Sequence, residues 1–185
     1  MSTSQDDLRA IALAEFASAG YVGTSLQRIA ELAGLSKSSV LYHYGSKEQL
    51  LEAAIGPAVD RMEEILVPLN AVGLAAANRQ EFLEEFVDFL LQYRLEVHMF
   101  INQGPALVDV PVIDRANAVI VRLAEFFSTH TSSVEEKARF GVALGGAAYM
   151  LSTARNLGLD APPIDETRAA LVTILSELLT PVRIP

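Results

Sequence analysis

The residues whose types and spacing could do chemistry are concentrated between Leu26 and Gly45, in a stretch that reads LQRIAELAGLSKSSVLYHYG. This pattern predicts two short helices joined by a tight turn, the arrangement of a helix-turn-helix unit. Gly34 supplies a turn residue that tolerates a positive φ, and Ala30, four residues earlier, lets the two helices approach closely. The apolar inner faces would be formed by Ile29, Leu35 and Val40.

The outer face of the second helix would carry the polar groups. In a unit of this kind the second helix lies in the major groove of DNA, and its first residues reach the bases. Serine hydroxyls suit a close approach to phosphates or base edges, and a phenol or an imidazole can donate to phosphate. The candidates on this face are Lys37, Ser38, Ser39, Tyr42 and His43. Lys47, in the first turn of the next helix, would add a positive charge at a helix N-terminus that already suits an anion.

Helical spacing and caps predict the elements that must hold these groups. Apolar residues recur at intervals of three and four along most of the chain, and no convincing run alternates with period two. The prediction is an all-α fold of about nine helices. Thr24 with Gln27, and Ser46 with Gln49, have capping-box spacing, and Ser36 can cap the third helix. The helices predicted near the N-terminus are Asp6 to Ala19, about Ser25 to Gly34, Lys37 to Tyr44 and one that follows Ser46.

Prolines and glycines divide the remainder of the chain. Gly56-Pro57 should kink or interrupt the fourth helix, because proline lacks the amide N–H. Pro68 and Gly73 should mark its end. The later predicted segments are a helix from Arg79 to Ile101, a short piece between Gly104-Pro105 and Pro111, helices from Val112 to Thr129 and from Val134 to Asn156, a loop from Gly158 to Pro163, and a last helix from Ile164 to Leu179.

The composition excludes several classes of function. The chain has 185 residues, a formal net charge of -9 and 51% hydrophobic residues, which suits a compact fold of one or two domains. Cysteine is absent, so disulfides, thiolate metal sites and a cysteine nucleophile are excluded. The histidines lack metal-ligand spacing, and no P-loop, G-x-S-x-G or G-x-G-x-x-G motif follows a strand. We therefore expect no metal, no cofactor and no enzymatic activity. The absence of a secretory pattern, and of an apolar run of about 20 residues, favours the cytoplasm.

From Leu8 to Ala53 the sequence resembles the TetR family of bacterial transcriptional regulators. The resemblance rests on an opening helix that ends in an A-x-x-G-Y-x-x-T-S-like stretch, Ala17 to Ser25, followed by IAELAGLSKSSVLYHYGSKEQLLEAA. It implies an N-terminal three-helix DNA-binding domain, residues 1–46, and a helical effector-binding and dimerisation domain, residues 47–185. It also implies DNA contacts by Thr24, Ser25, Ser36, Lys37, Ser38, Ser39, Tyr42, His43 and Lys47.

Two positions depart from the family's pattern. Leu41 stands where the family often has tyrosine, and the aromatic residue follows at Tyr42. This departure leaves open whether Tyr42 or His43 is the main aromatic contact. Tyr44 replaces the usual phenylalanine, which makes it a candidate core residue with a satisfied hydroxyl.

The C-terminal helices carry the candidate effector site. Ligand pockets are mostly apolar with a few polar groups, and the composition favours an apolar or amphipathic ligand. The candidates are Phe86, Phe89, Leu90, Tyr93, Arg94, His98, Phe100, Gln103, Arg122, Phe126, Tyr149 and Met150. Each of them could equally belong to an ordinary core or to a solvated face. The resemblance implies a homodimer through the last two long helices, with packing inside one chain as the alternative.

Together these features predict a dimeric, ligand-responsive transcriptional regulator. We expect a repressor that binds a palindromic operator in double-stranded DNA and is released by a small effector. Residues 1–56 hold four basic and six acidic residues, a net charge of -2, which is not the basic footprint of most nucleic-acid binders. A ligand-binding or scaffold protein of the same fold without DNA binding is therefore an alternative. A helical enzyme with its site among Arg94, His98 and Arg122 is another.

Overall fold

The computed structural model describes residues 5–72, 76–104, 107, 109–131, 133–153 and 163–180. These parts of the chain contain helices and no strand, which confirms the all-α prediction. The helices are α1 (Gln5–Ala19), α2 (Leu26–Leu32), α3 (Lys37–Tyr44), α4 (Lys47–Val72), α5 (Ala76–Gln92), α6 (Arg94–Gln103), α7 (Pro111–His130), α8 (Val134–Phe140), a π-helical segment (Gly141–Gly145), α9 (Gly146–Thr153) and α10 (Ile164–Leu179). Counted with α8, the π segment and α9 as one continuous helix, the described residues form nine helices.

The three N-terminal helices form as local signals predict. Gly20 has a φ of +82° just after α1, and Gly34 has a φ of +66° in the turn between α2 and α3, so both use backbone conformations that favour glycine. Ile29, Ala30 and Val40 are fully buried and join the helices. The N-cap of α2 is Ser25, whose side chain accepts from the Arg28 N–H, so the predicted capping box on Thr24 and Gln27 is wrong by one residue.

The fourth helix is longer than predicted. α4 runs without interruption through both Pro57 and Pro68, so Pro68 does not end it, and Gly56-Pro57 does not break it. A proline inside a helix costs about 3 kcal/mol. The apolar face of α4 is buried along most of its length against α1, α5 and α7, and this packing outweighs that penalty. Gly73, the other predicted end, lies outside the described residues.

Two helices predicted as continuous are divided. The Arg79 to Ile101 segment breaks at Tyr93, whose φ and ψ of -106° and 35° separate α5 from α6. α5 packs on α4 and α10, whereas α6 packs on α1 and α9, so the chain changes direction at a residue that is neither glycine nor proline. The helix from Val134 contains the π segment Gly141–Gly145. Its predicted end at Asn156, most of the predicted 104–111 piece and the loop before Pro163 lie outside the described residues.

A single apolar core extends from α1 to α10. α4 contacts α1 and α3 on one side and α5 and α7 on the other, so it connects the N-terminal helices to the rest of the molecule. None of the described helices combines the length and apolarity that a membrane-spanning helix requires.

Candidate DNA-binding and ligand-binding sites

The outer face of α3 is exposed, and its side chains form few hydrogen bonds with the described residues. Lys37, Ser38, Tyr42 and His43 are all exposed, and Tyr42 retains 87% of its accessible surface. The Tyr42 and His43 rings meet edge to face with centroids 5.5 Å apart. The His43 ring also approaches the Gln5 amide at 3.5 Å. Lys37 and Ser38 make no side-chain hydrogen bond or ion pair with any described residue.

The serines beside this face act as helix caps. The Ser36 hydroxyl accepts from the Ser39 N–H at 3.0 Å and lies 2.8 Å from the Ser39 hydroxyl. Ser25 caps α2 by accepting from the Arg28 N–H at 3.1 Å. Both caps remain exposed, so they fix the N-termini of α2 and α3 at the protein surface.

Thr24 and Lys47 are engaged inside the domain. Thr24 is only 3% exposed, and its hydroxyl donates to the Gly20 carbonyl at 2.7 Å, so it is not presented to a duplex as predicted. The Lys47 ammonium donates to the carbonyls of Tyr21 and Thr24 at 2.8 and 2.9 Å. It also lies 4.3 Å from the centre of the Tyr21 ring, and burial lowers its pKa. Lys47 therefore holds the turn between α1 and α2 onto α4.

Tyr44 occupies the position expected of a core residue. It is half-buried, and its hydroxyl donates to the Gln5 carbonyl at 3.0 Å. Burial raises the pKa of this hydroxyl above its usual value. Tyr44 therefore ties the end of α3 to the start of α1, which leaves Tyr42 and His43 as the aromatic groups on the outer face.

A cavity of about 460 Å³ lies between α4, α5, α6, α7 and the π segment with α9. Five of the predicted effector residues line it: Phe86, Phe89, Leu90, Phe100 and Tyr149. Most of the other lining side chains are aliphatic, among them Ile55, Val59, Val119 and Leu123. The described lining contains two polar side chains, Glu96 and Tyr149.

The other seven predicted effector residues do not line this cavity: Tyr93, Arg94, His98, Gln103, Arg122, Phe126 and Met150. Arg122 pairs with Glu63 at 2.9 Å, and Phe126 packs edge to face on Phe127. Tyr93 packs on Phe89 at the α5–α6 junction, and Met150 is exposed. The Nε of Arg94 is buried without a hydrogen-bond partner.

His98 and Gln103 make interhelical hydrogen bonds instead. The His98 Nδ1 donates to the Ser152 carbonyl at 2.9 Å, which joins α6 to α9. The Gln103 amide donates to the Phe16 carbonyl at 2.7 Å, and its oxygen accepts from the Tyr21 N–H at 2.8 Å. Gln103 thus connects the end of α6 to the end of α1.

Glu96 is a cavity residue that sequence reasoning missed. It is partly buried, and burial raises the pKa of its carboxyl, while a hydrogen bond to its own backbone opposes that shift. No ion pair or hydrogen bond joins Glu96 to another described residue. The available signal was its position one helical turn before Phe100, on a helix whose neighbouring residues Leu95 and Val97 are apolar.

The last helices present an exposed apolar surface. Val142, Tyr149, Met150 and Ile174 are large hydrophobic residues on the π segment, α9 and α10 that remain exposed. At Gly141, Gly145 and Gly146, no described atom outside the adjacent backbone of the same helix lies within 4 Å of the point where a Cβ would stand. This part of the surface, which we call the α8–α10 surface, could therefore accept another helix at short distance.

The N-terminal part of the chain is similar to known proteins. Residues 8–54 match the family model described as "Bacterial regulatory proteins, tetR family". The HTH-type transcriptional regulator RutR of Escherichia coli strain K12 is 39% identical over 71 residues, which cover 38% of this chain and 32% of RutR. The match thus spans about a third of the length of this curated relative.

Solved structures extend the comparison to the whole chain. A member of the TetR transcriptional regulator family from Streptomyces coelicolor A3 gives a TM-score of 0.73 at 22% identity, over 95% of this chain and 90% of that chain. AibR, in complex with isovaleryl coenzyme A and operator DNA, gives a TM-score of 0.59 at 19% identity, over 92% of this chain and 97% of that chain. At these identities the similarity shows a shared fold.

Proposed function

We propose that the chain is a ligand-responsive transcriptional regulator of the TetR family, because residues 8–54 match that family's model and the whole chain shares the fold of solved members. Residues 1–46 would bind operator DNA, and residues 47–185 would bind a small effector and a second copy of the chain. The observation that carries this proposal is the outer face of α3, where polar side chains stand exposed on a well-packed helix-turn-helix unit.

The α3 face suits recognition of a duplex. An α-helix fits the major groove of B-DNA, and the residues near its N-terminus come closest to the base edges. Lys37 and Ser38 occupy that end of α3, and their side chains form no hydrogen bond or ion pair with a described residue. Tyr42, one turn after Ser38, would reach the phosphate backbone or a base edge. We assign the main aromatic contact to Tyr42, because His43 already approaches Gln5.

The cavity and the α8–α10 surface supply the remaining parts of the proposal. A largely apolar cavity beside α4 suits a small effector, and α4 also contacts α1 and α3 of the proposed DNA-binding domain. AibR, which shares the fold, binds isovaleryl coenzyme A and operator DNA. A dimer through the α8–α10 surface would present two α3 helices with two-fold symmetry. Its operator would then be palindromic, with half-sites about 34–36 Å apart.

The sign of regulation is a further part of the proposal. Without effector, a dimer at operator spacing would occlude transcription, so we propose a repressor that acts in the cytoplasm. Effector binding would favour a conformer with a different spacing. The effector can do so only to the extent that it binds the two conformers with different affinity.

Selection from random duplex DNA tests the proposal directly. The purified full-length chain should enrich a palindrome, and Tyr42→Ala should weaken binding to that palindrome by about tenfold or more. Val22→Ala, at another exposed apolar residue outside α3, is the matched control and should leave the affinity within about twofold. If no sequence is enriched by the folded protein, the ligand-binding or scaffold function without DNA binding replaces this one.

A further inference from the structure

Glu96 is a carboxyl-bearing residue of the cavity lining, and none of the described residues forms an ion pair with it. Glu96 lies on the first turn of α6 and lines the cavity beside Val97 and Phe100. Tyr149 is the other polar side chain of the described lining, and it does not bond Glu96. The described part of the chain therefore offers Glu96 no cation and no donor besides its own backbone.

Such a group is unfavourable unless something compensates for it. A carboxylate that leaves water for an apolar environment must be paired or hydrogen-bonded, or it takes up a proton. Without a ligand, the folded protein would be more stable if residue 96 were aliphatic like its neighbours. A negative charge at this position is useful when the occupant of the cavity supplies the missing partner.

The rest of the lining favours a cation over a neutral donor. Phe86, Phe89, Phe100 and Tyr149 surround the cavity with aromatic rings, and the faces of such rings attract positive charge. An anionic occupant would meet both the Glu96 charge and these rings unfavourably. The aliphatic side chains from α4 and α7 would bury an apolar body.

We propose that the effector is an apolar cation, an amine or quaternary ammonium on a hydrophobic body, whose positive head group lies against Glu96. This inference rests on the proposed function in so far as the cavity is the effector site. It goes further by naming the charge of the ligand and the residue that selects it. Glu96 would then be the specificity-determining residue of the cavity.

Three probes that share one alkyl chain and differ in head group test the proposal. Decyltrimethylammonium is cationic, decanol is neutral and decanoate is anionic. Their binding to the full-length chain would be measured by calorimetric titration below the critical micelle concentration. We expect decyltrimethylammonium to bind at least about tenfold more tightly than decanol, and decanoate to bind most weakly.

Variants locate the effect at the proposed residue. Glu96→Gln keeps the shape of the side chain and removes its charge, so the preference for the cation should fall to within about twofold. Glu125→Gln, at an exposed carboxylate of α7 that does not line the cavity, should keep the full preference. Thermal unfolding of both variants verifies that they are folded.

The outcomes separate this inference from the regulator function. Failure of the cation to bind, equal affinities for the three probes, or an unchanged preference in Glu96→Gln would overturn the assignment of Glu96. Release of the selected palindrome is measured separately, by fluorescence anisotropy with decyltrimethylammonium present. Cation binding that depends on Glu96 but releases no DNA would support the ligand class and count against the regulator function.

Discussion

Two serines at the N-terminal end of α3 differ in what they do inside the protein. Ser36 caps α3 through the Ser39 N–H, whereas the Ser38 side chain forms no hydrogen bond with a described residue. We expect Ser36→Ala to lower the free energy of unfolding by about 1 kcal/mol. Ser38→Ala should change it by less than about 0.5 kcal/mol, yet weaken operator binding. Urea denaturation and anisotropy titration measure the two quantities, and a stability loss in Ser38→Ala equal to that of Ser36→Ala would contradict this division.

The carboxyl of Glu96 makes stability depend on pH. Burial raises its pKa above the ordinary value of 4.5, so the folded state favours the protonated form more than the unfolded state does. Its contribution is therefore most favourable below the ordinary pKa and is lost as pH rises through the raised pKa. Glu96→Gln removes this dependence.

The stability gain of Glu96→Gln over the natural chain should accordingly increase with pH across that interval. Urea denaturation at a series of pH values measures it, and other titrating groups cancel in the difference between the two proteins. A difference in unfolding free energy that stays constant from pH 4 to pH 7 would show that Glu96 is not desolvated.

Residue type alone does not reveal which polar side chains face outward. Threonine and lysine beside a helix-turn-helix suit phosphate contacts, but they equally suit the capping of carbonyls inside the domain. Thr24 and Lys47 donate to carbonyls inside the domain, because the turn between α1 and α2 folds onto α4 and leaves carbonyls that need donors. That packing is long-range, so the sequence could predict the helices but not these two orientations.

At the scale of elements, the sequence predicts features that depend on neighbouring residues but not those that depend on packing between distant helices. The α2–α3 turn depends on Gly34 and on the Ser36 cap, both readable within a few residues. The break at Tyr93 has no such signal, because it arises from the different partners of α5 and α6. Residue type gave no way to tell the faces of α6 apart: Glu96 and Phe100 line the cavity, whereas His98 and Gln103 bond to neighbouring helices.

The hydrogen bonds of Gln103 join α6, which lines the cavity, to the end of α1 in the proposed DNA-binding domain. Phe100 and Ile101 line the cavity on the same helix, and Gln103 holds Phe16 and Tyr21 at the end of α1. A ligand that displaces α6 would therefore shift α1. The thermodynamic measure of such coupling is the ratio of ligand affinities with and without DNA.

Gln103→Leu should weaken this coupling. We expect a stability loss of about 1–2 kcal/mol from the two lost hydrogen bonds, and a ratio of ligand affinities closer to one. The affinity for decyltrimethylammonium would be measured with free and operator-bound protein. Asn102→Leu, at the exposed neighbour that bonds only within α6, is the control and should keep the natural ratio. An unchanged ratio in Gln103→Leu would exclude Gln103 from the coupling route.

At the scale of the whole molecule, the α8–α10 surface should determine the oligomeric state. Val142 is 65% exposed on the π segment, and the glycines around it leave room for a partner helix. Val142→Glu should dissociate the proposed dimer, because a charge would be desolvated at its interface, and operator binding should weaken with it. Val67→Glu, at a valine of α4 with the same exposure, is the matched control. Sedimentation velocity distinguishes the species, and a dimer that persists in Val142→Glu would place the interface elsewhere.

The charge distribution of the DNA-binding domain limits how it can bind a polyanion. All residues from 5 to 56 are described, and within them Arg9 pairs with Asp6, Arg28 pairs with Glu15, and Lys47 is held by carbonyls. Lys37 is the remaining lysine or arginine of this segment, and its side chain forms no ion pair or hydrogen bond with a described residue. Specific binding must therefore depend on neutral donors and helix ends more than on neutralised phosphates.

Operator affinity should for this reason depend only weakly on salt. With one uncommitted cation per protomer, a dimer would neutralise about two phosphates, so the slope of log affinity against log salt should be about -2. Lys37→Gln should bring the slope close to zero, whereas Arg28→Gln should change it little because Arg28 is already paired with Glu15. Anisotropy titrations at increasing KCl measure the slope. A value of about -6 or steeper would require several ion pairs of α1, α2 and α4 to open on DNA, and would show that the internal pairing of these cations does not survive binding.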